Sequence, residues 1–328
     1  MPTRKAPIDV MRAVSMLYIV GFWHLLDYTK VATWHYNPVT YRLTVGALAL
    51  FVLISGFLTG RTDGPLARGE IWRFYRTRFW SIYLPFVIAS GLFLATGVSD
   101  ALSLFKGVTL VGMLLAPPPF TLWFVNMIVL FYLIAPLLIG LRGNKVAYIA
   151  LCTVIVGAMI LYQAATGRLD MRLILYFPCF AAGIFLAAES LPSSTLSLIG
   201  LLVLAALSLV PTLARPSWSL EGDPWAMPWA LFGSIAIFVV VMRAARNLKS
   251  PALLTQFSEA SFFMYLLHRP LYLWMQAVWF PSTENAQVFY LLFVCLPIIG
   301  IVAWLCQRAY TGFLRWREAR VAAPNGSG

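Results

Sequence analysis

The chain has 328 residues, of which 61% are apolar, 15% aromatic and 11% charged, where a soluble domain is roughly 45–50% apolar and 25% charged. Its mean hydropathy of +0.81 arises from recurring uncharged blocks, each long enough as a helix to cross a bilayer core of roughly 30 Å, which excludes a soluble globular enzyme. The 24 Lys and Arg outnumber the 12 Asp and Glu to give a net charge of +12, but they lie between the apolar blocks and not in one patch, which argues against nucleic acid as a partner.

Apolar blocks run over 12–28, 43–60, 79–97, 101–116, 120–140, 146–166, 172–188, 196–214, 226–242, 260–280 and 286–307. The fourth is short, holds Lys106 and ends at Pro117, Pro118 and Pro119, a run that cannot continue a helix, so it reads as a re-entrant or interfacial piece. Ten spans remain. The expected fold is all-α, a polytopic membrane protein of about ten transmembrane helices with both termini cytoplasmic. Basic residues test the count because they concentrate in cytoplasmic loops. With both ends inside, 17 of them fall in cytoplasmic segments and 6 in the opposite loops, while Arg269 lies within a span. Counting the fourth block as a span would move the basic segment 243–249 and the tail outside. The first block lacks a small-residue cleavage site and reads as a retained span. Residues 1–322 are expected to form one membrane domain and 323–328 a disordered tail. No polar stretch is long enough for a soluble catalytic domain, so any chemistry falls to residues within or at the edges of the membrane.

Cys152, Cys179, Cys295 and Cys306 all sit in apolar blocks, with no CxxC and no His spaced to complete a metal set. They read as small buried apolar residues, and no metal site is expected. The outer loop from Arg215 to Pro228 carries Trp218 and Trp225, with Trp229 beside it, among Pro and acidic residues. That composition suits a sugar-stacking surface and equally an interfacial aromatic belt.

Ionisable side chains inside a bilayer cost a few kcal/mol each and mark functional positions by default. Arg12 begins the first span, His24 and Asp27 lie near its outer end, and Glu259, His268 and Arg269 accompany the ninth. Histidine exchanges protons near neutral pH, which makes His24 the best general-base candidate. Asp27 follows at i+3 on the same helix face, so the two read either as base and orienting carboxylate or as a solvated Asp beside a His bonded to another helix. Arg269, near mid-span, should face the interior or a wet cavity, with Glu259 a weak candidate partner ten residues away. Ser55 lacks a nucleophile elbow, and Ser55-Gly56 inside a span reads as a close-packing pair. Tyr265 and Trp123 are candidates for shaping a pocket. His35, between Trp34 and Tyr36, is compatible with solvation or with acceptor contact.

Several segments together resemble acyltransferase family 3, the integral-membrane acyltransferases. They are Ile8 through Met11-Arg12 to Trp23-His24; Phe51-Val52-Leu53-Ile54-Ser55-Gly56-Phe57; Phe74-Tyr75-Arg76-Thr77-Arg78-Phe79 leading to Pro85; Leu122-Trp123-Phe124 with Pro136; and Ser261-Phe262 followed by Tyr265-Leu266-Leu267-His268-Arg269-Pro270. They keep the family's order, and the resemblance implies transfer of an acyl group, most often acetyl, from cytoplasmic acyl-CoA to a hydroxyl of a carbohydrate or lipid-linked acceptor in a bacterial inner membrane. It implies His24 as catalytic base with Arg12 as its basic companion, Arg78 as a donor-binding residue, and His268 as the second family histidine. The donor path is then expected to include Arg73, Arg76, Arg78, His268 and Arg269, and the catalytic group His24, Asp27 and Arg12.

Two departures from the family pattern carry expectations of their own. Arg12 and His24 enclose eleven residues where the family has ten, and on a regular helix an i+12 pair lies about 120° out of alignment. One extra residue is what a π-bulge absorbs, so a bulge or kink is predicted near Gly21. Ser81 replaces the second arginine of the Arg78-x-x-Ser81 motif, whereas Arg73-x-x-Arg76 keeps the spacing five residues earlier and offers a shifted set of guanidinium forks for phosphates. The same arginines also read as topology-setting charges. From another functional class, a transporter or exporter fits the span count and the re-entrant piece, although no inverted repeat is evident.

Overall fold

The computed structural model describes residues 6–29, 36–62, 64–189, 191–192, 194–249 and 251–322; His35 and the tail at 323–328 lie outside them. Among the described residues every regular element is helical, in line with the all-α expectation. Helix α1 (Ala6–Tyr18) runs on through a π-turn at Ile19–Trp23 and a 3₁₀ turn at His24–Asp27. Helix α2 (Pro38–Thr59) follows, then α3 (Arg68–Arg78), which continues through a π-turn at Phe79–Tyr83 into α4 (Leu84–Ala95). The short α5 (Ala101–Val108) precedes α6 (Trp123–Leu141), α7 (Lys145–Thr166), α8 (Arg172–Ala188), α9 (Thr195–Leu207) and the single turn α10 (Val210–Leu213). A π-turn leads into α11 (Ser234–Ala244), which is followed by α12 (Ala252–Val278), α13 (Glu284–Tyr290) and, after another π-turn, α14 (Leu296–Ala322).

Eight helical segments are long and apolar enough to cross a membrane: Ala6–Trp23, Pro38–Thr59, Arg68–Ala95, Trp123–Leu141, Lys145–Thr166, Thr195–Leu213, Pro224–Ala244 and Glu284–Arg320. The two other blocks read as spans are also helices. Helix α8 has 17 residues, and α12, at 27 residues, carries Glu259, His268 and Arg269 in its interior, which lowers its hydropathy. The fourth block is no span. Its helix α5 has eight residues, and the chain then turns back through Pro117–Pro119, tied down by Asn126 Nδ2 donating to Gly107 O at 2.7 Å and the Ala116 N–H donating to Arg168 O at 2.8 Å.

Local sequence explains the main packing. Asn37 caps α2 by accepting from the Val39 and Thr40 N–H groups, Thr40 answers with its own hydroxyl, and Pro38 occupies the first turn where its missing N–H costs nothing. Further along α2, Gly56 meets Gly183 of α8. A Cβ on Gly56 would sit 2.1 Å from Phe180 O, and one on Gly183 would sit 2.1 Å from Leu53 O, so the two backbones touch and only glycine fits at either position. This is the packing role read for Ser55-Gly56. Helices α1 and α2 form the centre, with 67% of each apolar window buried, whereas α7 has 6% buried and presents Val146, Ile149 and Leu161 outward, as a lipid-facing helix must. All four cysteines are free, Cys179 and Cys295 fully buried and Cys152 and Cys306 half-buried.

Candidate active site

The extension of α1 sets the site. The π-turn at Ile19–Trp23 is the predicted bulge around Gly21, whose Cα faces Leu296 so closely that a Cβ would lie 2.6 Å from the leucine Cδ2. Its effect differs from the expectation. Arg12 and His24 do not converge but line two separate cavities, which adjoin at Ile19, Leu48 and Tyr265.

The cavity at the far end of the bundle, away from the basic loops, measures about 500 Å³ and is lined by His24, Asp27, Arg269, Arg172, Glu221 and aromatic residues including Trp123 and Trp218. Two side chains of the α1 extension meet two consecutive residues of α12. His24 Nδ1 lies 2.9 Å from His268 Nε2, with the ring planes 2° from parallel, and Arg269 Nη2 donates to Asp27 Oδ2 at 2.6 Å. His268 is fully buried, and its Nδ1 is 2.7 Å from the carbonyl of Tyr265.

That last contact fixes the tautomers. A carbonyl only accepts, so His268 Nδ1 carries the hydrogen; in the neutral ring Nε2 is then the acceptor, and His24 Nδ1 must be the donor. The lone pair of His24 is left on Nε2, the atom a general base needs free. Tyr265 is itself held, because its hydroxyl donates to the carbonyl of Thr121, a residue in the left-handed region at φ 58° that forms part of the same cavity wall. Arg172, also on the cavity wall, is ion-paired to Asp170 at 2.6 Å and lies 4.0 Å over the Trp123 ring. Glu221 makes no ion pair among the described residues. Burial pushes its carboxyl pKa up, Arg172 opposes that, Asp27 adds to it, and a hydrogen bond from Trp23 opposes it.

The second cavity, about 240 Å³, opens toward the basic end and is lined by Arg12, Arg78, Thr59, Ser55, Ser261 and apolar residues of α1, α2, α6 and α12. Arg12 Nη2 donates to Ser261 Oγ at 3.0 Å and Arg78 Nη2 to Thr59 Oγ1 at 3.3 Å. The Arg78 guanidinium lies over the Tyr132 and Phe74 rings at 4.6 and 5.2 Å, and its Nε is buried without a hydrogen-bond partner among the described residues. Ser55 Oγ is 2.6 Å from the Tyr132 hydroxyl.

Several sequence expectations need correction. Asp27 does not orient His24; a buried guanidinium requires a counter-charge far more than a neutral imidazole does, so Asp27 pairs with Arg269 and His268 takes the orienting place. Glu259 is accordingly not the partner of Arg269. Arg12 lines the basic-end cavity with Arg78 and not the cavity that holds His24. His268 and Arg269 stand with His24 and not on the arginine side. Arg73 and Arg76 are exposed and do not line the basic-end cavity, whereas Arg76 shares a neighbouring cavity wall with Arg78, Trp72 and Tyr75. Ser81 Oγ is buried with no hydrogen-bond partner among the described residues. The three loop tryptophans divide: Trp218 lines the far cavity, Trp229 packs on Gly46 and donates to Arg42 O at 2.8 Å, and Trp225 is exposed. Sequence reasoning missed Glu221, Arg172 and the Pro117–Thr121 wall, although the acidic, Trp-rich composition of the 215–228 loop was a signal for Glu221.

A family model described as an acyltransferase domain matches residues 6–306. No curated protein and no solved structure matches the chain. With that match spanning nearly the whole chain, and with a bundle of apolar helices around a hydrogen-bonded histidine pair, the chain belongs to acyltransferase family 3 and is a multi-pass membrane acyltransferase.

Proposed function

We propose that the protein moves an acyl group, acetyl in the first instance, from cytoplasmic acyl-CoA to a hydroxyl of a carbohydrate or lipid-linked acceptor at the opposite face of a bacterial inner membrane. The observation that carries this reading is the adjoining of two chemically unlike cavities, with His24 on the wall of one and Arg78 on the wall of the other. The basic end takes the cytoplasmic side by the positive-inside rule. Arg78, together with Arg12, faces the donor's phosphates, for which guanidinium forks are suited, and the apolar lining accommodates the pantetheine arm. The thioester then reaches the junction at Ile19, Leu48 and Tyr265.

In the reaction His24 Nε2 takes the proton from the acceptor hydroxyl, the oxygen attacks the acyl carbon, the carbon–sulfur bond breaks, and the thiolate leaves with the proton returned by His24. His268 holds the tautomer throughout, and the Asp27–Arg269 pair fixes the end of α1 against α12. General-base assistance of this kind contributes about 10²–10⁴-fold. The test is hydrolysis of radiolabelled acetyl-CoA by detergent-purified protein beside His24→Ala, with folding checked by size exclusion. Turnover lost in the folded variant is the expected result; equal turnover in both would remove His24 as the base. Two cavities approaching from opposite ends also suit a carrier, and uptake of acetyl-CoA into vesicles without cleavage would favour that reading.

A further inference from the structure

One group in the far cavity has no place in the chemistry above. The other charged side chains lining it are paired, Asp27 with Arg269 and Arg172 with Asp170, but Glu221 has no ion-pair partner among the described residues. It belongs to the 3₁₀ turn Ser217–Gly222. In a 3₁₀ helix residues i and i+3 eclipse, so Glu221 and Trp218 project from one face of the turn, and both line the cavity that holds His24. Trp218 is 73% exposed, a broad aromatic face left uncovered at the mouth.

The turn is anchored as a platform and is not a loose loop. Leu220 between the two is fully buried, Arg215 is ion-paired to Asp223 at 2.7 Å, and Asp223 caps the next turn by accepting from the Trp225 N–H at 3.0 Å. An aromatic plane stacks on the apolar face of a pyranose ring, and a carboxylate presents two oxygens that accept from neighbouring hydroxyls.

Resting on the reading of His24 as base, we infer that Trp218 and Glu221 form an acceptor subsite: the indole carries a sugar ring, and the Glu221 carboxylate holds a hydroxyl next to the one delivered to His24. The acceptor is then a pyranose with a free hydroxyl beside the acylated one. It is uncharged at this position, since the paired residues cancel and a uronate would meet Glu221 as a like charge. Glu221 is a positioning residue and makes no bond to the acyl group.

The experiment uses purified full-length protein and two readouts. Saturation-transfer NMR measures binding of a panel of methyl glycopyranosides, with methyl glucuronide and choline as controls, and transfer from radiolabelled acetyl-CoA measures KM and kcat for the glycosides that bind. Glu221→Gln is expected to raise the acceptor KM about tenfold, the loss of one charge-assisted hydrogen bond, with a smaller change in kcat. Trp218→Ala raises it similarly, and Trp225→Ala, outside the cavity, leaves it unchanged. A deoxy analogue lacking the adjacent hydroxyl should lose as much with the wild type and nothing further with Glu221→Gln, the non-additivity of one shared contact. No glycoside binding to the wild type, equal effects of Trp218→Ala and Trp225→Ala, additive losses in the deoxy cycle, or preference for glucuronide or choline would each overturn the inference. Because the NMR arm needs no turnover, glycoside binding lost in Glu221→Gln supports the subsite even where acetyl-CoA is not consumed, so a failure of the His24 reading is told apart from a failure of this one.

Discussion

The two cavities that meet at Ile19, Leu48 and Tyr265 are made from different materials. The basic-end cavity is the smaller, about 240 Å³ against about 500 Å³, and mostly apolar, with two guanidinium groups beside hydroxyls at its polar positions and no carboxylate among the described residues of its wall. Arg78 is held there by aromatic faces and one hydroxyl, an arrangement that leaves its charge available to an incoming anion. The far cavity holds both signs of charge in matched pairs, plus His24, which His268 holds from behind in a directed hydrogen-bond chain, and one carboxylate without an ion-pair partner among the described residues. On the proposed function, the difference separates binding from proton transfer along the membrane normal, with the first cavity taking the donor and the second the acceptor hydroxyl and its proton.

Mutations on the two sides should therefore fail differently. The largest effect expected after loss of His24 is from His268→Ala, which frees the His24 ring to adopt either tautomer; kcat should fall about 10–100-fold, the range seen when a group that orients a histidine is removed, with the acetyl-CoA KM nearly unchanged. Arg78→Gln should show the opposite pattern, an acetyl-CoA KM raised about tenfold or more through lost charge-assisted contacts and a kcat within a few-fold of wild type. A large kcat loss in Arg78→Gln would break the division of labour. Asp27→Asn should act on stability more than on chemistry. Leaving Arg269 without its counter-charge costs about 1–3 kcal/mol at this partly exposed pair, visible as a lower Tm in detergent, with a smaller kcat loss than His268→Ala; the reverse ranking would restore Asp27 as the orienting group. The smallest effect is expected from Arg73→Gln, an exposed residue off the cavity wall, which should change the acetyl-CoA KM less than about twofold, as surface substitutions usually do.

The bundle was legible because a bilayer imposes its period on composition: uncharged blocks of spanning length, punctuated by Arg and Lys, leave few alternatives. The π-turn at Ile19–Trp23 was legible too, since counting residues between Arg12 and His24 against the helical repeat exposes one too many. What sequence did not reveal were pairings across the bundle. Asp27 at i+3 from His24 is the nearest carboxylate along the chain, but the crossing of α1 with α12 brings Arg269 against it, over a separation of 242 residues, and no local periodicity encodes that register. His268 was recognised by its motif, yet its partner is set by the same crossing. Glu221 lay in a loop whose tryptophans read equally as belt or sugar surface, and only the 3₁₀ geometry of Ser217–Gly222 separates Trp218 from Trp225 and Trp229. Arg73 and Arg76 keep the spacing but not the face of Arg78: positions three or four apart share a side of a helix, and the basic-end cavity is lined by Arg78 and Ile82.

The most direct test of a site reached from two ends is acetyl-CoA turnover in sealed membrane vesicles of known orientation, since CoA esters do not cross a bilayer unaided. With the basic end facing the medium, added radiolabelled acetyl-CoA should be hydrolysed or transferred, and His24→Ala vesicles should be silent. With the far end facing the medium, wild-type vesicles should leave acetyl-CoA intact until they are opened with detergent. Turnover from the far end, or equal turnover from both, would contradict the separation of donor and acceptor cavities on which the mechanism rests.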